Sequence, residues 1–176
     1  LGGTLARAAT MPLRADLGRM IDFPRRALDR LGVEVVLGRR AAAAEILATD
    51  AEAVVVATGA EPVALPLERG EALTLQAALA QPDGLGDHVL LVDQIGTWSV
   101  VSVAEWLADR GLRVTLLAPT GTPGWTISVY SSFAMRRRLR EKRVRILGLH
   151  KVVAHGPGGA TILDLSTGDR SELAGV

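Results

Sequence analysis

Three short apolar runs in the second half of the chain are separated by two longer segments of mixed polarity. The apolar runs predict buried strands at 89–92, 113–117 and 144–147. The segments between them predict helices at 98–110 and 131–142. Because strands that alternate with helices join a parallel sheet through crossover connections, this pattern predicts an α/β fold with a parallel core.

The end of the chain changes to a shorter period. Residues 151–154, 160–166 and 170–173 have the composition of short strands, and glycine-containing turns at 156–159 and 167–169 separate them. We therefore expect a small antiparallel meander to follow the parallel sheet.

The first half of the chain is less regular. Apolar runs at 33–37 and 53–57 predict two further strands, and a helix is predicted over 17–31, with Pro24 marking a kink or a split. A sheet of only two strands is marginal by itself. We therefore expect residues 1–60 to lean on the second half or on another chain.

Composition limits the classes of function. The 176 residues are 48% hydrophobic, so the chain is long enough to bury a core and is expected to be globular. With 20 basic and 19 acidic residues the net charge is +1, which predicts neither nucleic acid nor a membrane as a partner. The absence of cysteine excludes disulfides, iron–sulfur ligation and a cysteine nucleophile within these residues. The cytoplasm is the expected location.

The two ends of the sequence indicate a piece of a longer polypeptide. The first residue is Leu1 rather than methionine, and Val176 comes just after a predicted strand begins. The rest of the parent polypeptide is therefore the expected partner, and homo-oligomerisation is left open.

The turn after the predicted strand 89–92 lies where a Rossmann unit carries its phosphate-binding glycines. A working turn reads G-x-G-x-x-G, because the glycines allow a tight bend, close approach of the pyrophosphate and helix–strand packing. Here residues 93–98 read Asp-Gln-Ile-Gly-Thr-Trp, with Gly96 as the single glycine. Asp93 is expected to repel a phosphate and Trp98 to crowd it, and no acid follows Leu117 to hold a ribose. A closed nucleotide site is the favoured interpretation.

Other candidate chemistry is weaker. Six basic residues lie close together near the end of the predicted helix 131–142: Arg136, Arg137, Arg138, Arg140, Lys142 and Arg143. A solvated helix face is favoured over a phosphate site, because cations suit a helix C-terminus and the aromatic residues that stack on bases are absent. The three histidines have no metal-ligand spacing, and no residue of the chain is predicted to be catalytic or to bind a metal.

Several short stretches, in this order, resemble one family. The first half carries Gly2-Gly3-x-Leu5, Ala8-Ala9-x-x-Pro12-x-Arg14, Leu31-Gly32-Val33-x-Val35 and Val54-Val55-Val56-Ala57-Thr58-Gly59-Ala60. The second half carries Ala104-Glu105-x-Leu107-Ala108-x-Arg110-Gly111-x-x-Val114-Thr115 and Arg138-Leu139-Arg140-x-x-x-Val144-x-Ile146-Leu147. Together they resemble the C-terminal half of the bacterial flavin and iron–sulfur oxidoreductases that include trimethylamine dehydrogenase and 2,4-dienoyl-CoA reductase.

The resemblance implies a fold, a domain plan and cofactors. Such proteins begin with an FMN-binding barrel and a [4Fe–4S] cluster, which this chain lacks, and end with two domains of the glutathione-reductase type. Residues 1–70 would be a partial FAD- or ADP-binding domain without its first βαβ unit. Residues 71–176 would be an NAD(P)-binding-type Rossmann domain with a degenerate glycine motif. That degenerate turn resembles the trimethylamine dehydrogenase branch more, which counts against NADPH.

Two groups of residues are the candidate cofactor site. Gly2 and Gly3 correspond to a pair that lies near the dinucleotide in the family, and backbone without Cβ can approach a phosphate or a ring closely. Thr58, Gly59 and Ala60 follow a predicted buried strand, at the kind of strand end where open α/β sheets bind ligands. An ordinary turn is the alternative explanation at both places.

Three functions remain open from the sequence. The favoured one is the dinucleotide-type part of a flavin-dependent oxidoreductase that holds, or once held, FAD or ADP and NAD(P)H, with the substrate handled elsewhere. The second is a complete NAD(P)H-binding reductase module of the pyridine-nucleotide–disulfide type. The third is a Rossmann-like scaffold without catalysis.

Overall fold

The structure of the chain, a computed structural model, describes all of residues 1–176. It contains two compact units, Leu1–Glu61 and Pro62–Val176. The boundary indicated by the sequence lies later, between residues 70 and 71. What each unit binds remains a prediction.

The first unit is helical and has little core of its own. Its helices are α1 (Gly3–Ala9), α2 (Arg19–Arg30, unbroken through Pro24) and α3 (Ala43–Leu47). Met11 is the single buried apolar residue of this unit. Such a small buried surface stabilises a fold weakly, since stability follows the apolar area removed from water.

The two strands predicted in the first unit are wrong. Neither 33–37 nor 53–57 forms a strand, and residues Val55 and Val56 are 89% and 79% exposed. A strand exists only where a neighbouring strand receives its N–H and C=O groups. An apolar run shows only that a segment tends to be covered on both faces. In this chain no strand pairs with residues 33–37 or 53–57.

The second unit contains the predicted parallel sheet. After a short helix, α4 (Leu75–Ala80), its strands β1 (His88–Val92), β2 (Arg113–Leu117) and β3 (Arg145–Leu147) pair in parallel in the order β1-β2-β3. The crossover helices are α5 (Trp98–Ala108) and α6 (Val129–Glu141). The predicted α/β fold with a parallel core is therefore confirmed.

Helix α5 lies at the centre of this unit. All eight residues from Val100 to Leu107 are buried, and they include Glu105. A helix that is apolar on nearly every side must be covered on every side. The fully buried Leu116 and Leu117 of β2 and Met135 and Leu139 of α6 belong to the same core.

The antiparallel meander is also confirmed. Strands β4 (His150–Gly156), β5 (Gly159–Asp164) and β6 (Arg170–Ala174) pair in the order β4-β5-β6. Residues of β4 and β5 pack with Leu117 of β2 in one apolar cluster, so the two sheets share a core. Arg69 pairs with Ala154 and extends this sheet beyond β4, and the Glu68 N–H donates to the Val153 carbonyl at 2.7 Å.

His88, the first residue of β1, makes the stability of this unit depend on pH. Its Nε2 lies 2.9 Å from the Thr115 hydroxyl. Burial, together with the nearby charges of Arg113 and Arg145, lowers the pKa of His88 below its ordinary value. The folded state therefore favours the neutral ring, and the unfolded state binds more protons near the unfolded pKa of about 6.5.

We expect the contribution of neutral His88 to be complete above about pH 6.5 and to be lost as the pH falls through the lowered folded pKa. Urea unfolding at a series of pH values should show that wild type and His88→Asn differ less in their free energy of unfolding as the pH falls. His155→Asn is the control, because that side chain is exposed. A difference in free energy of unfolding between wild type and His88→Asn that does not change with pH would contradict the prediction.

Candidate functional site

The connection from β1 to α5 lies at the carboxyl ends of the parallel strands, where open α/β sheets bind their ligands. The Asp93 N–H donates to the Leu117 carbonyl at 2.8 Å and continues the ladder between β1 and β2 for one more residue. The chain then turns, with Gly96 at φ +68°, and α5 begins at Trp98. This turn occupies the place of a Rossmann phosphate loop.

The Asp93 side chain fills the inside of the turn. The residue is fully buried, and its Oδ1 accepts hydrogen bonds from the N–H groups of Gly96 at 2.8 Å and Ile95 at 3.3 Å. Its Oδ2 accepts a third from the Gly124 N–H at 2.7 Å. A carboxylate gains most from such charge-assisted bonds when it is out of water. The backbone donors that a bound phosphate would need are already used by the chain.

A second segment covers the turn from outside. We call residues 119–127, between β2 and α6, the strap. Thr126 donates to the Gly96 carbonyl twice, from its N–H at 3.0 Å and from its hydroxyl at 2.7 Å. The Trp125 ring lies so close to Gly96 that a Cβ there would be 2.3 Å from a ring atom. A Cβ at position 96 would overlap the ring, so the ring covers this side of Gly96.

The groove beside the turn is also small. It encloses about 210 Å³ and is lined by Leu65, Pro66, Glu68, Gln94, Lys151, Val152 and Val153. Pockets for small molecules and cofactors usually enclose about 300–1,000 Å³. The groove is thus smaller than is usual for such a pocket, and the closed nucleotide site stays a prediction.

The means of closure differ in part from the expectation. Asp93 is central, as predicted, but its carboxylate points inward and accepts hydrogen bonds. The ring that covers Gly96 belongs to Trp125, whereas Trp98 is half-buried at the start of α5. The missed partner, Gly124, is 31 residues from Asp93. The only local signal was the run of glycine and proline in the strap, which predicts a loop without saying where it lies.

The five predicted cofactor-binding residues all lie in the first unit. Gly2 caps α1 at φ 100°, and a Cβ there would be 2.7 Å from the Ile21 side chain, so the backbone angle and the local packing both favour glycine at this position. Gly3 and Gly59 have φ values of +47° and +79°, with nothing within 4 Å of where a Cβ would be. At these two positions the backbone is open to a close approach by a ligand.

Thr58, Gly59 and Ala60 are exposed and belong to no helix or strand. No hydrogen bond joins them to Gly2 or Gly3. What these five residues bind remains a prediction.

Three of the six basic residues near the end of α6 pair with carboxylates. Arg138 forms a two-pronged ion pair with the buried Glu105 of α5, at 2.9 and 3.0 Å. Arg137 pairs with Glu141 on the exposed face, and Lys142 pairs with Asp109. This pairing leaves less positive charge for a polyanion than the sequence suggests.

Two further observations concern the whole chain. No group of three or more histidine, cysteine, aspartate or glutamate side chains is arranged to hold a metal ion. No helix combines the length and the apolar character that crossing a membrane requires.

No family model matches the chain. It is 29% identical, over 93% of its residues, to the N,N-dimethylglycine/sarcosine dehydrogenase of Chromohalobacter salexigens, of which it covers 25%. It is 31% identical, over 67% of its residues, to a probable N-methylproline demethylase of Rhizobium meliloti, of which it covers 18%. The solved complex of 2-naphthoyl-CoA reductase with 2-naphthoyl-CoA superposes on 99% of the chain with a TM-score of 0.87 and 21% identity, and 26% of it is covered.

These matches confirm the resemblance drawn from the motifs, and the fold is that of a region of large oxidoreductases. The chain is homologous to part of the flavin-dependent oxidoreductases of the trimethylamine dehydrogenase and 2,4-dienoyl-CoA reductase family. It spans a quarter or less of the length of these two curated relatives.

Proposed function

We propose that this chain is the dinucleotide-type part of a flavin-dependent oxidoreductase, in which the first unit holds an adenine nucleotide and the second unit is structural. The observation that carries the proposal is the closed turn. Asp93 accepts hydrogen bonds from three backbone N–H groups, and Trp125 covers Gly96. A unit whose phosphate donors are used internally is unsuited to bringing electrons in from NAD(P)H.

Two observations support an adenine nucleotide, as FAD or ADP, at the first unit. The open positive-φ backbone of Gly3 and Gly59 allows a ligand to approach closely. The exposed apolar residues at 33–37 and 54–56 are those expected when part of a dinucleotide-binding sheet is supplied by other residues. In this proposal Gly2, Gly3, Thr58, Gly59 and Ala60 line one side of the site.

The chemical centre lies outside these residues in our proposal. The chain has no cysteine to ligate an iron–sulfur cluster, and none of its side chains is assigned a catalytic role. FMN and a [4Fe–4S] cluster would belong to a barrel domain elsewhere in the parent polypeptide. We propose a cytoplasmic enzyme whose main partner for this region is the rest of that polypeptide.

Two other functions make different predictions. A reductase module of the pyridine-nucleotide–disulfide type requires an NAD(P)H site at the 93–98 turn. A scaffold without catalysis requires no nucleotide in either unit. The closed turn counts against the first of these, and the nucleotide content of the full-length product decides the second.

We expect calorimetric titration with NADPH or NADH to give no dissociation constant below about 1 mM, which corresponds to a binding free energy of about −4 kcal/mol. A helix N-terminus favours an exposed anion by only about 0.3–1 kcal/mol, which Trp125 and Asp93 can outweigh. The full-length gene product, denatured and chromatographed, should release one ADP or FAD per chain, and Gly59→Val should reduce that amount.

The other outcomes separate the alternatives. Ordered pyrophosphate at the amino end of α5, in a crystal soaked with NADPH, would replace our proposal with the reductase module. Absence of adenine nucleotide from the full-length product, with no binding of NAD(P)H, would leave the scaffold.

A further inference from the structure

We propose that the strap, residues 119–127, is a lid locked over the 93–96 turn, and that the Asp93 carboxylate is the catch that joins them. Loss of this carboxylate would release the strap and uncover the turn while the sheet stays folded. The inference concerns the second unit alone, and it stands whether or not the first unit binds a nucleotide.

The hydrogen bonds divide into two sets that meet at Asp93. Its Oδ1 holds the turn through the N–H groups of Ile95 and Gly96, and its Oδ2 holds the strap through the N–H of Gly124. One carboxylate therefore links two segments that are distant in sequence. Burial of the carboxylate makes these bonds stronger than they would be in water.

Packing also holds the strap, residues 119–127, against the turn. Gly124 is buried, has φ +68°, and would place a Cβ 2.7 Å from the Ile127 side chain, so no other residue fits there without a shift. Pro123 beside it is also fully buried. The Trp125 ring then covers Gly96, and Thr126 bonds the Gly96 carbonyl. The contacts of Trp125 and Thr126 thus join the strap to the turn, while Pro123 and Gly124 are fixed by burial.

The first part of the strap is held independently of Asp93. The Leu149 N–H donates to the Thr120 carbonyl at 2.8 Å, next to β3, and the Arg136 guanidinium of α6 donates to the Thr122 hydroxyl at 2.8 Å. The segment free to move once the Asp93 carboxylate is lost is therefore the second half of the strap, residues 123–127. This geometry is that of a local opening, in which few contacts break and the core remains packed.

Native-state hydrogen exchange of the wild-type chain tests the lock directly. The N–H groups of Gly96, Gly124 and Thr126 are the reporters. The first two donate to the Asp93 carboxylate, and the third donates to the Gly96 carbonyl. We expect the three to exchange with one common free energy of opening, lower than that of strand amides such as Leu91 and Leu116. Three different values, or values equal to those of the strands, would overturn the proposal.

Asp93→Ala tests the catch. We expect exchange at Gly124 and Thr126 to accelerate by about 10–100-fold, the effect of losing hydrogen bonds to a charged group, while the strand amides keep their protection. Asp93→Asn, which retains one acceptor oxygen, should give a smaller acceleration. Unchanged exchange at Gly124 would overturn the proposal, and so would equal loss of protection in the strands. If Asp93→Ala does not fold, the wild-type measurement decides.

Asp164→Ala is the matched control. Asp164 also accepts backbone hydrogen bonds at short sequence spacing, from the N–H groups of Ser166 and Thr167, but at the turn that follows β5. Its loss should accelerate exchange at that turn only. An equal acceleration of the strap in Asp164→Ala would show a general loss of stability and overturn the assignment of the catch to Asp93.

Discussion

Arg138→Met should destabilise the second unit by about 3–5 kcal/mol, because it leaves the buried carboxylate of Glu105 without its partner. Glu105 is 3% exposed, and both its oxygens bond the Arg138 guanidinium. Taking a charge out of water is costly, and the ion pair offsets that cost only while both members are present. Urea unfolding at neutral pH measures the loss.

Two variants separate the buried charge from the lost side chain. Glu105→Leu combined with Arg138→Met should recover most of the stability, since an apolar pair of similar volume avoids the unpaired charge. Arg137→Met, one residue away on α6, breaks the exposed pair with Glu141, whose side chain is 56% exposed, and should cost less than about 1 kcal/mol. A loss in Arg138→Met no larger than that in Arg137→Met would refute the prediction.

Gly96→Ala should destabilise the chain by about 2–5 kcal/mol for two separate reasons. The left-handed backbone at φ +68° costs a residue with a Cβ about 1–2 kcal/mol. The new methyl group would also lie 2.3 Å from the Trp125 ring, and overpacking of this kind costs about 1–3 kcal/mol. Thermal and urea unfolding measure the sum.

Gly111→Ala isolates the backbone part of this cost. Gly111 has φ +85° and nothing within 4 Å of the position that a methyl group would take, so its substitution carries strain without overlap. Gly96→Ala should therefore be the more destabilising of the two. In a double-mutant cycle with Trp125→Ala, the overlap at Gly96 should disappear and leave a favourable coupling energy. Equal effects at Gly96 and Gly111 would mean that the ring moves aside freely.

The parallel sheet could be predicted because its signals are local. Residues 89–92 and 113–117 are apolar runs of strand length with a helix between them, and the structure forms strands there. The runs at 33–37 and 53–57 carry the same signal, yet form no strand. The difference is the presence of a pairing partner, which is a property of the surroundings and cannot be seen within a run.

The closed turn could be predicted in outline only. The missing glycines at residues 93–98 are visible in the sequence, and so is an acidic side chain where a phosphate would lie. The direction of that side chain is not, because it depends on the Gly124 N–H, 31 residues away. The covering ring of Trp125 is likewise set by how the loop after β2 folds back, which no periodic pattern encodes.

The inward-pointing carboxylate of Asp93 competes with dissolved anions for the backbone N–H groups of the turn. Asp93 is tethered a few atoms from the donors it occupies, so its effective concentration there far exceeds that of any free anion. A dissolved anion would have to displace the Asp93 carboxylate, which cannot diffuse away from these donors. If the turn is closed as we propose, the shape of the second unit is insensitive to the ratio of reduced to oxidised pyridine nucleotide.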